Sequence, residues 1–125
     1  MQIPPDKITN LLNNFLNVQS RRAETIAGNI ANADTPGFVA KELQFDDYLR
    51  DAARAAFEPA SNGANALNEP RTVEKTGGAI GLDGNTVDVA REMSDLAQTG
   101  SSFNFGAKML QARFRLLRAA IREGR

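Results

Sequence analysis

The sequence predicts a mainly α-helical chain. Its long N- and C-terminal helices are expected to pack as an antiparallel coiled coil, with a flexible, poorly structured middle segment. Apolar residues recur at alternating steps of three and four near both ends of the 125-residue chain, which is the period of a helix that packs along one seam. The middle is rich in glycine, proline and charge, and such a composition buries little apolar area. We therefore expect an N-terminal helix and turn (1–37), an irregular, mobile segment (38–84) and a C-terminal heptad helix (85–125).

The composition argues against several classes of function. Fifteen basic and fifteen acidic residues cancel, so no global field attracts nucleic acid or an acidic membrane surface. The chain has neither cysteine nor histidine, which removes thiolate chemistry and the commonest general base and metal ligand. We therefore expect no catalytic residue, no cofactor and no metal site. The first residues also lack the pattern of a cleaved secretory signal.

The first helix is predicted to run from about Asp6 to Ala33, with Asp6 as its N-cap. One row of mainly apolar residues continues along the whole helix. A second row is apolar only in the first half, so the early helix requires more than one neighbour. The first row supplies one side of a predicted assembly seam, and its members are Leu12, Leu16, Ile26 and Ile30.

A turn signal ends this helix at Thr35-Pro36-Gly37-Phe38. Proline fixes φ at the second position of a turn, and glycine accepts a positive φ at the third. Because Pro36 disfavours helical geometry in the residue before it, the helix is expected to end at or before Asp34. Two asparagines near this end, Asn29 and Asn32, suit a helix interior poorly. Their amides are candidates for tying the helix end to a neighbouring segment.

The middle segment carries weaker signals. Residues 47–57 are consistent with a short helix, and residues 71–75 with a short extended piece. Residues 58–84 otherwise have the composition of a linker. The glycine-rich run 77–84 lacks the P-loop lysine and the glycine spacing of the dinucleotide fingerprint, so we interpret it as a flexible turn.

The last helix has the strongest periodicity in the chain. Thr86 or Asp88 can cap it, and its apolar row runs from Val89 to Ile121 with only Gly100 as an interruption. At 1.5 Å per residue this helix spans roughly 50 Å, and its two glycines predict a bend or local flexibility. The second side of the assembly seam comprises Val89, Met93, Leu96, Phe103, Leu110, Phe114, Leu117 and Ile121. Since the two helices together carry more apolar surface than one chain can cover, partner chains are expected.

Residues 21–38, which read RRAETIAGNIANADTPGF, resemble the N-terminal signature of bacterial flagellar rod and hook proteins. The continuation 40–45 and the segments 83–93 and 113–121 are similar to the corresponding parts of a proximal rod protein of that family. Phe103-Asn104 stands where the family often has a Tyr-Gln pair. The family motif and its turn comprise Asn29, Ile30, Ala31, Asn32, Asp34, Thr35, Pro36, Gly37 and Phe38.

The resemblance implies a structural subunit of the flagellar basal body rod that is needed for motility. Such a subunit assembles with itself and with other rod proteins through its terminal helices, and it links the membrane ring to the hook. The resemblance also implies export through the flagellar type III apparatus without a cleaved signal, a location in the periplasmic part of the rod, and no nucleic acid or small-molecule substrate. In such an assembly, Asn29 and Asn32 become candidates for contacts between chains.

Two alternatives remain from the residues alone. The arginine-rich end of the last helix is compatible with a nucleic-acid-binding module, although the neutral net charge argues against it. A cytoplasmic helical adaptor is the other alternative. The same basic end is otherwise interpreted as a solvated, dipole-complementing helix terminus or as a surface for an acidic partner.

Overall fold

The computed structural model describes residues 7–58 and 69–124. Its terminal helices are 25 and 35 residues long, which confirms the mainly α-helical prediction. In chain order, the elements of the described residues are α1 (Lys7–Ala31), β1 (Lys41–Gln44), α2 (Asp46–Phe57), β2 (Arg71–Glu74) and α3 (Val89–Glu123).

The two long helices lie side by side and run in opposite directions. The end of α1 meets the start of α3, where Asn29 Nδ2 lies 3.0 Å from Glu92 Oε2. Farther along, the backbone of Gly106 approaches α1 so closely that a Cβ placed there would lie 2.8 Å from Phe15 Cδ1. These two contacts confirm the predicted pairing of the terminal helices.

α1 ends at Ala31, before Asp34, as the proline rule predicts. The predicted β-turn follows, because Phe38 N donates to Thr35 O over 3.2 Å and Gly37 has a φ of 73°. The predicted N-cap, Asp6, lies outside the described residues.

α3 packs against α1 through a row spaced by seven residues that is not its apolar row. Glu92, Thr99 and Gly106 are the buried members of this packed row. Asp88 caps the helix as predicted, since its side chain accepts a hydrogen bond from Arg91 N over 3.2 Å. The helix continues without interruption through both glycines.

Ordered elements occupy part of the segment that the sequence analysis treats as irregular. α2 forms where a short helix is predicted, and β2 lies within the predicted extended piece. β1, which the sequence analysis does not predict, pairs with β2 in antiparallel fashion, with Lys41 opposite Glu74. β1 lies against α1, and its Leu43 is buried. None of the described helices is long and apolar enough to cross a membrane.

Candidate functional site

The family motif folds into a polar junction where the end of α1 meets β1 and the start of α3. Asn29 lies at its centre and is only 1% exposed. Its Oδ1 accepts a hydrogen bond from Lys41 N over 2.9 Å, and its Nδ2 donates to Lys41 O over 2.7 Å and to Glu92 Oε2 over 3.0 Å. One buried amide therefore joins two helices and a strand, which explains why an asparagine stands in a helix that it does not favour.

A partly buried ion cluster completes this side of the junction. Lys75 Nζ, just after β2, donates to Glu92 Oε1 over 2.7 Å and to Asp95 Oδ2 over 2.8 Å. The side chains of Lys75 and Glu92 are only 12% and 2% exposed. Burial by itself lowers the pKa of Lys75, but hydrogen bonds to Asp95 and Glu92 and the charges of both carboxylates outweigh it and raise the pKa above its ordinary 10.5.

Asn85 closes the junction from the loop that precedes α3. Its Nδ2 donates to Asn32 O over 2.9 Å and to Thr35 O over 2.8 Å, while its Oδ1 accepts from Val87 N over 2.8 Å. Both carbonyls also accept backbone hydrogen bonds within the turn, Asn32 O from Thr35 N and Thr35 O from Phe38 N. The end of the first long helix is thus held by the loop that leads into the last one.

The turn and the same loop are also joined through their backbones. Gly37 N donates to Asp83 O over 2.9 Å, and Thr86 N donates to Phe38 O over 3.0 Å. Thr86 Oγ1 accepts from Ala40 N over 2.8 Å. Residues 37–40 are therefore fixed to the segment that precedes α3. The motif thus connects the end of α1 to the start of α3.

Asn29 ties the helix end to neighbouring segments, as the sequence predicts. The same expectation is wrong for the amide of Asn32, because its Nδ2 donates to Gly28 O of the same helix over 2.8 Å and its Oδ1 accepts from Thr35 Oγ1 of the adjoining turn over 3.2 Å. The expectation that Asn29 contacts another chain is wrong, because its side chain is buried and its amide bonds groups of its own chain. Of the other motif residues, Ile30 and Phe38 are half-buried, and the exposed ones are Ala31, Asp34, Thr35, Pro36 and Gly37.

Sequence reasoning missed the roles of Lys75, Asn85 and Glu92. Glu92 stands in the first turn of α3, where an acidic residue complements the helix dipole, and this obscured its part in the packed row. Lys75 follows a short strand, and nothing local marks it as buried. For Asn85, the preceding Asp-Gly turn was the only available signal.

The apolar row of α3 lies beside the packed row and is largely uncovered. We call its exposed members the apolar face: Val89 is 41% exposed, Met93 60%, Phe103 40%, Phe114 47% and Ile121 60%. Of the other seam residues, Ile26 is buried. The half-buried ones are Leu12, Leu16, Ile30, Leu96, Leu110 and Leu117. The role of this seam in assembly stays a prediction.

A second patch of exposed apolar residues lies on another side of α3. Phe105 is 64% exposed, Met109 47% and Leu116 66%. At 100° per residue, this back patch is roughly opposite the apolar face. Large contiguous apolar surfaces on a small chain usually mark contacts with partners. α3 therefore offers apolar contacts in two directions besides the side that α1 covers.

Replacing Gly37 by valine is expected to lower the free energy of unfolding by about 1–2 kcal/mol, because a residue with a Cβ resists a φ of 73°. No atom lies within 4 Å of a Cβ built at this position, so the penalty is conformational rather than steric. Gly37→Asn is the matched control, since asparagine tolerates this conformation. Urea unfolding followed by circular dichroism checks both variants. Equal stability of the two would contradict the explanation.

The family model described as flagella basal body rod protein matches residues 16–38, which include the whole motif. The chain is 30% identical to the flagellar basal body rod protein FlgB of Aeromonas hydrophila, over 98% of each chain. It is 31% identical to FlgB of Salmonella typhimurium over 76% of this chain and 78% of that one. It is 28% identical to FlgB of Escherichia coli K12 over 87% of this chain and 88% of the relative.

Proposed function

Because the chain belongs to the FlgB family of flagellar basal body rod proteins, we propose that α3 builds the rod by packing its apolar face and its back patch against neighbouring subunits. The protein is a structural subunit of the flagellar basal body rod rather than an enzyme, and it assembles with other rod components. The observation that carries the proposal is the exposure of large apolar side chains on two sides of one long helix.

The estimated free energies favour an assembly in which each subunit contacts several neighbours over an isolated dimer. The five side chains of the apolar face are about half exposed, so covering them stabilises a contact by roughly 5 kcal/mol in total. Association costs an estimated 4–15 kcal/mol in lost freedom of movement. A single face is therefore weak by itself, and stable association requires several faces to be covered at once. Rod growth supplies this condition because each new subunit meets more than one neighbour.

The junction has a different task in this proposal. Its side chains form their hydrogen bonds within the chain, so they stabilise the helix pair rather than recognise a partner. Asn29 of α1 and Lys75, which follows β2, support this role because both bind the buried carboxylate of Glu92 in α3. A fixed angle between α1 and α3 keeps the apolar face presented in one orientation to the lattice.

Finer features of the proposal rest on the family resemblance of residues 21–38 and on the relatives' descriptions. We propose that the subunit is exported through the flagellar type III apparatus without a cleaved signal. It then occupies the periplasmic part of the rod, contacts the membrane ring and links it to the hook. Motility requires it. No contact of the described residues favours a nucleic-acid-binding module or a cytoplasmic adaptor instead.

Introducing Met93→Asp together with Phe114→Asp is expected to abolish swimming when the variant replaces the wild-type chain in cells. Both side chains are exposed in the single chain, so the new charges leave the helix pair intact and act only where a neighbour would bury them. Ser20→Asp together with Ala27→Asp is the matched control, because both residues are exposed on α1 and lie outside the apolar face and the back patch. Normal swimming of the first variant in soft agar would refute the proposal, provided that circular dichroism shows both proteins to be helical.

A further inference from the structure

The easily oxidised side chains of this protein are its methionines. The chain has three methionines and contains no cysteine, tryptophan or histidine. Peroxides react most readily with side-chain sulfur, and without a thiol the thioether of methionine is the group that they oxidise first. Met1 lies outside the described residues, so the structure describes two of the three sulfur-bearing side chains, Met93 and Met109.

Both of these side chains are open to solvent. Met93 is 60% exposed and Met109 is 47% exposed, whereas methionine is usually among the most often buried residue types. Oxidation of a sulfur atom follows its exposure, because the oxidant has to reach the lone pairs of that atom. The free subunit therefore offers two reactive sulfur atoms to a small oxidant in water.

The two methionines divide between the two surfaces that the proposed function assigns to assembly. Met93 belongs to the apolar face and Met109 to the back patch. They are 16 residues apart in α3, which corresponds to about 24 Å along the helix and a rotation of about 160° around it. Each surface contains one of the two described sulfur atoms, so chemistry at these atoms alters both surfaces together.

We propose that Met93 and Met109 are peroxide oxidation sites that decide whether a free subunit enters the rod. In each reaction the sulfur attacks one oxygen of hydrogen peroxide, so that a sulfur–oxygen bond forms and the oxygen–oxygen bond breaks. The departing hydroxide takes the proton from the transferred oxygen and leaves as water. The sulfur loses two electrons and the peroxide gains them, which gives methionine sulfoxide and water. The inference rests on the proposed function, because it adds a regulation to the two assembly surfaces.

The sulfoxide makes an apolar contact polar. In the free subunit water solvates the new oxygen, so the helix pair is undisturbed. A neighbouring subunit that covers the oxygen removes this hydration, and burying a polar group without a hydrogen bond is unfavourable. The other side chains that define the two surfaces carry no hydrogen-bond donor: Val89, Phe103, Phe114, Ile121, Phe105 and Leu116. Each sulfoxide should therefore weaken its contact roughly tenfold.

Assembly protects the same two atoms. A neighbour that buries the apolar face or the back patch keeps the oxidant away from the sulfur, so oxidation acts on subunits before they are incorporated. The modification is reversible, since methionine sulfoxide reductases restore the thioether while two thiols of a reductant form a disulfide and the oxygen leaves as water. A repaired subunit therefore regains both apolar surfaces.

The reactivity of the two sites can be measured directly. The purified full-length chain is treated with hydrogen peroxide, and peptide mass spectrometry follows the gain of one oxygen atom at each methionine. Met93 and Met109 are expected to react within about threefold of the rate of methionine in short synthetic peptides of the same sequence. Reductases for both sulfoxide epimers, supplied with dithiothreitol, should remove the added oxygen. Rates far below those of the peptides would overturn the assignment of these residues as oxidation sites.

Exclusion from the rod is measured by competition in cells. A chain with Met93→Gln and Met109→Gln, in which glutamine stands for the sulfoxide in length and polarity, is expressed at the same level as the wild-type chain. Mass spectrometry of isolated basal bodies distinguishes the two chains by their substituted peptides. The matched comparison is Met93→Leu with Met109→Leu, which keeps both positions apolar. The glutamine variant should enter the rod at least about tenfold less than the leucine variant.

Equal incorporation of the glutamine and leucine variants would overturn the proposal, because polarity at the two positions would then not matter. The rod function is judged by a different variant. If Met93→Asp with Phe114→Asp abolishes swimming while the glutamine variant enters the rod as well as the leucine variant, the surfaces assemble the rod and only the regulation by oxidation is wrong.

Discussion

Replacing Gly106 by leucine should separate the two long helices and lower the free energy of unfolding by about 3 kcal/mol. A Cβ at this position would already lie 2.8 Å from Phe15 Cδ1 and 3.0 Å from Leu16 Cδ2. A full leucine side chain has no space between the helices, so either the pair opens or α1 shifts. Urea unfolding followed by helical circular dichroism measures the loss.

Gly100 provides the matched control in the same helix. No atom lies within 4 Å of a Cβ built there, so Gly100→Ala gains only helix propensity and should raise stability by about 1 kcal/mol. Gly106→Ala has the same propensity gain, but it is offset by the crowding against Phe15. If both alanine variants were equally stabilised, the close approach at Gly106 would be refuted.

Replacing Lys75 by methionine should lower the free energy of unfolding by about 3 kcal/mol. The substitution leaves the carboxylate of Glu92, 2% exposed, without its cationic partner and next to Asp95. Arg50→Met is the control, because it breaks an ion pair whose partners are 62% and 78% exposed. Pairs of that kind contribute at most about 1 kcal/mol. Similar losses in both variants would show that burial of the Lys75 pair is unimportant.

The ion cluster also predicts an alkaline limit of stability. The pKa of Lys75 is higher in the folded chain than its ordinary 10.5. Its contribution to folding is therefore complete below pH 10.5 and is lost as the pH rises above that value. Unfolding free energies measured from neutral to strongly alkaline pH should fall more steeply for the wild type than for Lys75→Met. Parallel curves would contradict this assignment.

Local signals in the sequence predicted the helices and the turn well. Asp88 has the side chain of a helix cap, and Pro36-Gly37 has the composition of a turn, so each specifies its own backbone without help from distant residues. Periodicity likewise predicts that α1 and α3 are long. These features depend on residues that are close in sequence, and the structure contains them as expected.

The packing of the helices could not be predicted in the same way. The apolar row of α3 suggested the seam, yet α1 covers the neighbouring row of Glu92, Thr99 and Gly106. Glu92 can be buried only because Asn29 and Lys75, both far away in sequence, supply donors. Gly106 looked like a weak point of the helix, but the close approach of Phe15 gives it a packing role. Each of these facts depends on a partner that periodicity does not identify.

The register of α1 against α3 has a mechanical consequence. Phe15 and Asn29 lie 14 residues apart on α1, and their partners Gly106 and Glu92 lie 14 residues apart on α3. A slip of seven residues would place Thr99 at the position of Glu92 and Arg113 at the position of Gly106, and neither residue reproduces the lost contact. Because the two contacts have the same spacing on both helices, they oppose sliding of one helix along the other. The pair should therefore bend as one unit, with a greater bending stiffness than two helices that can slide past each other.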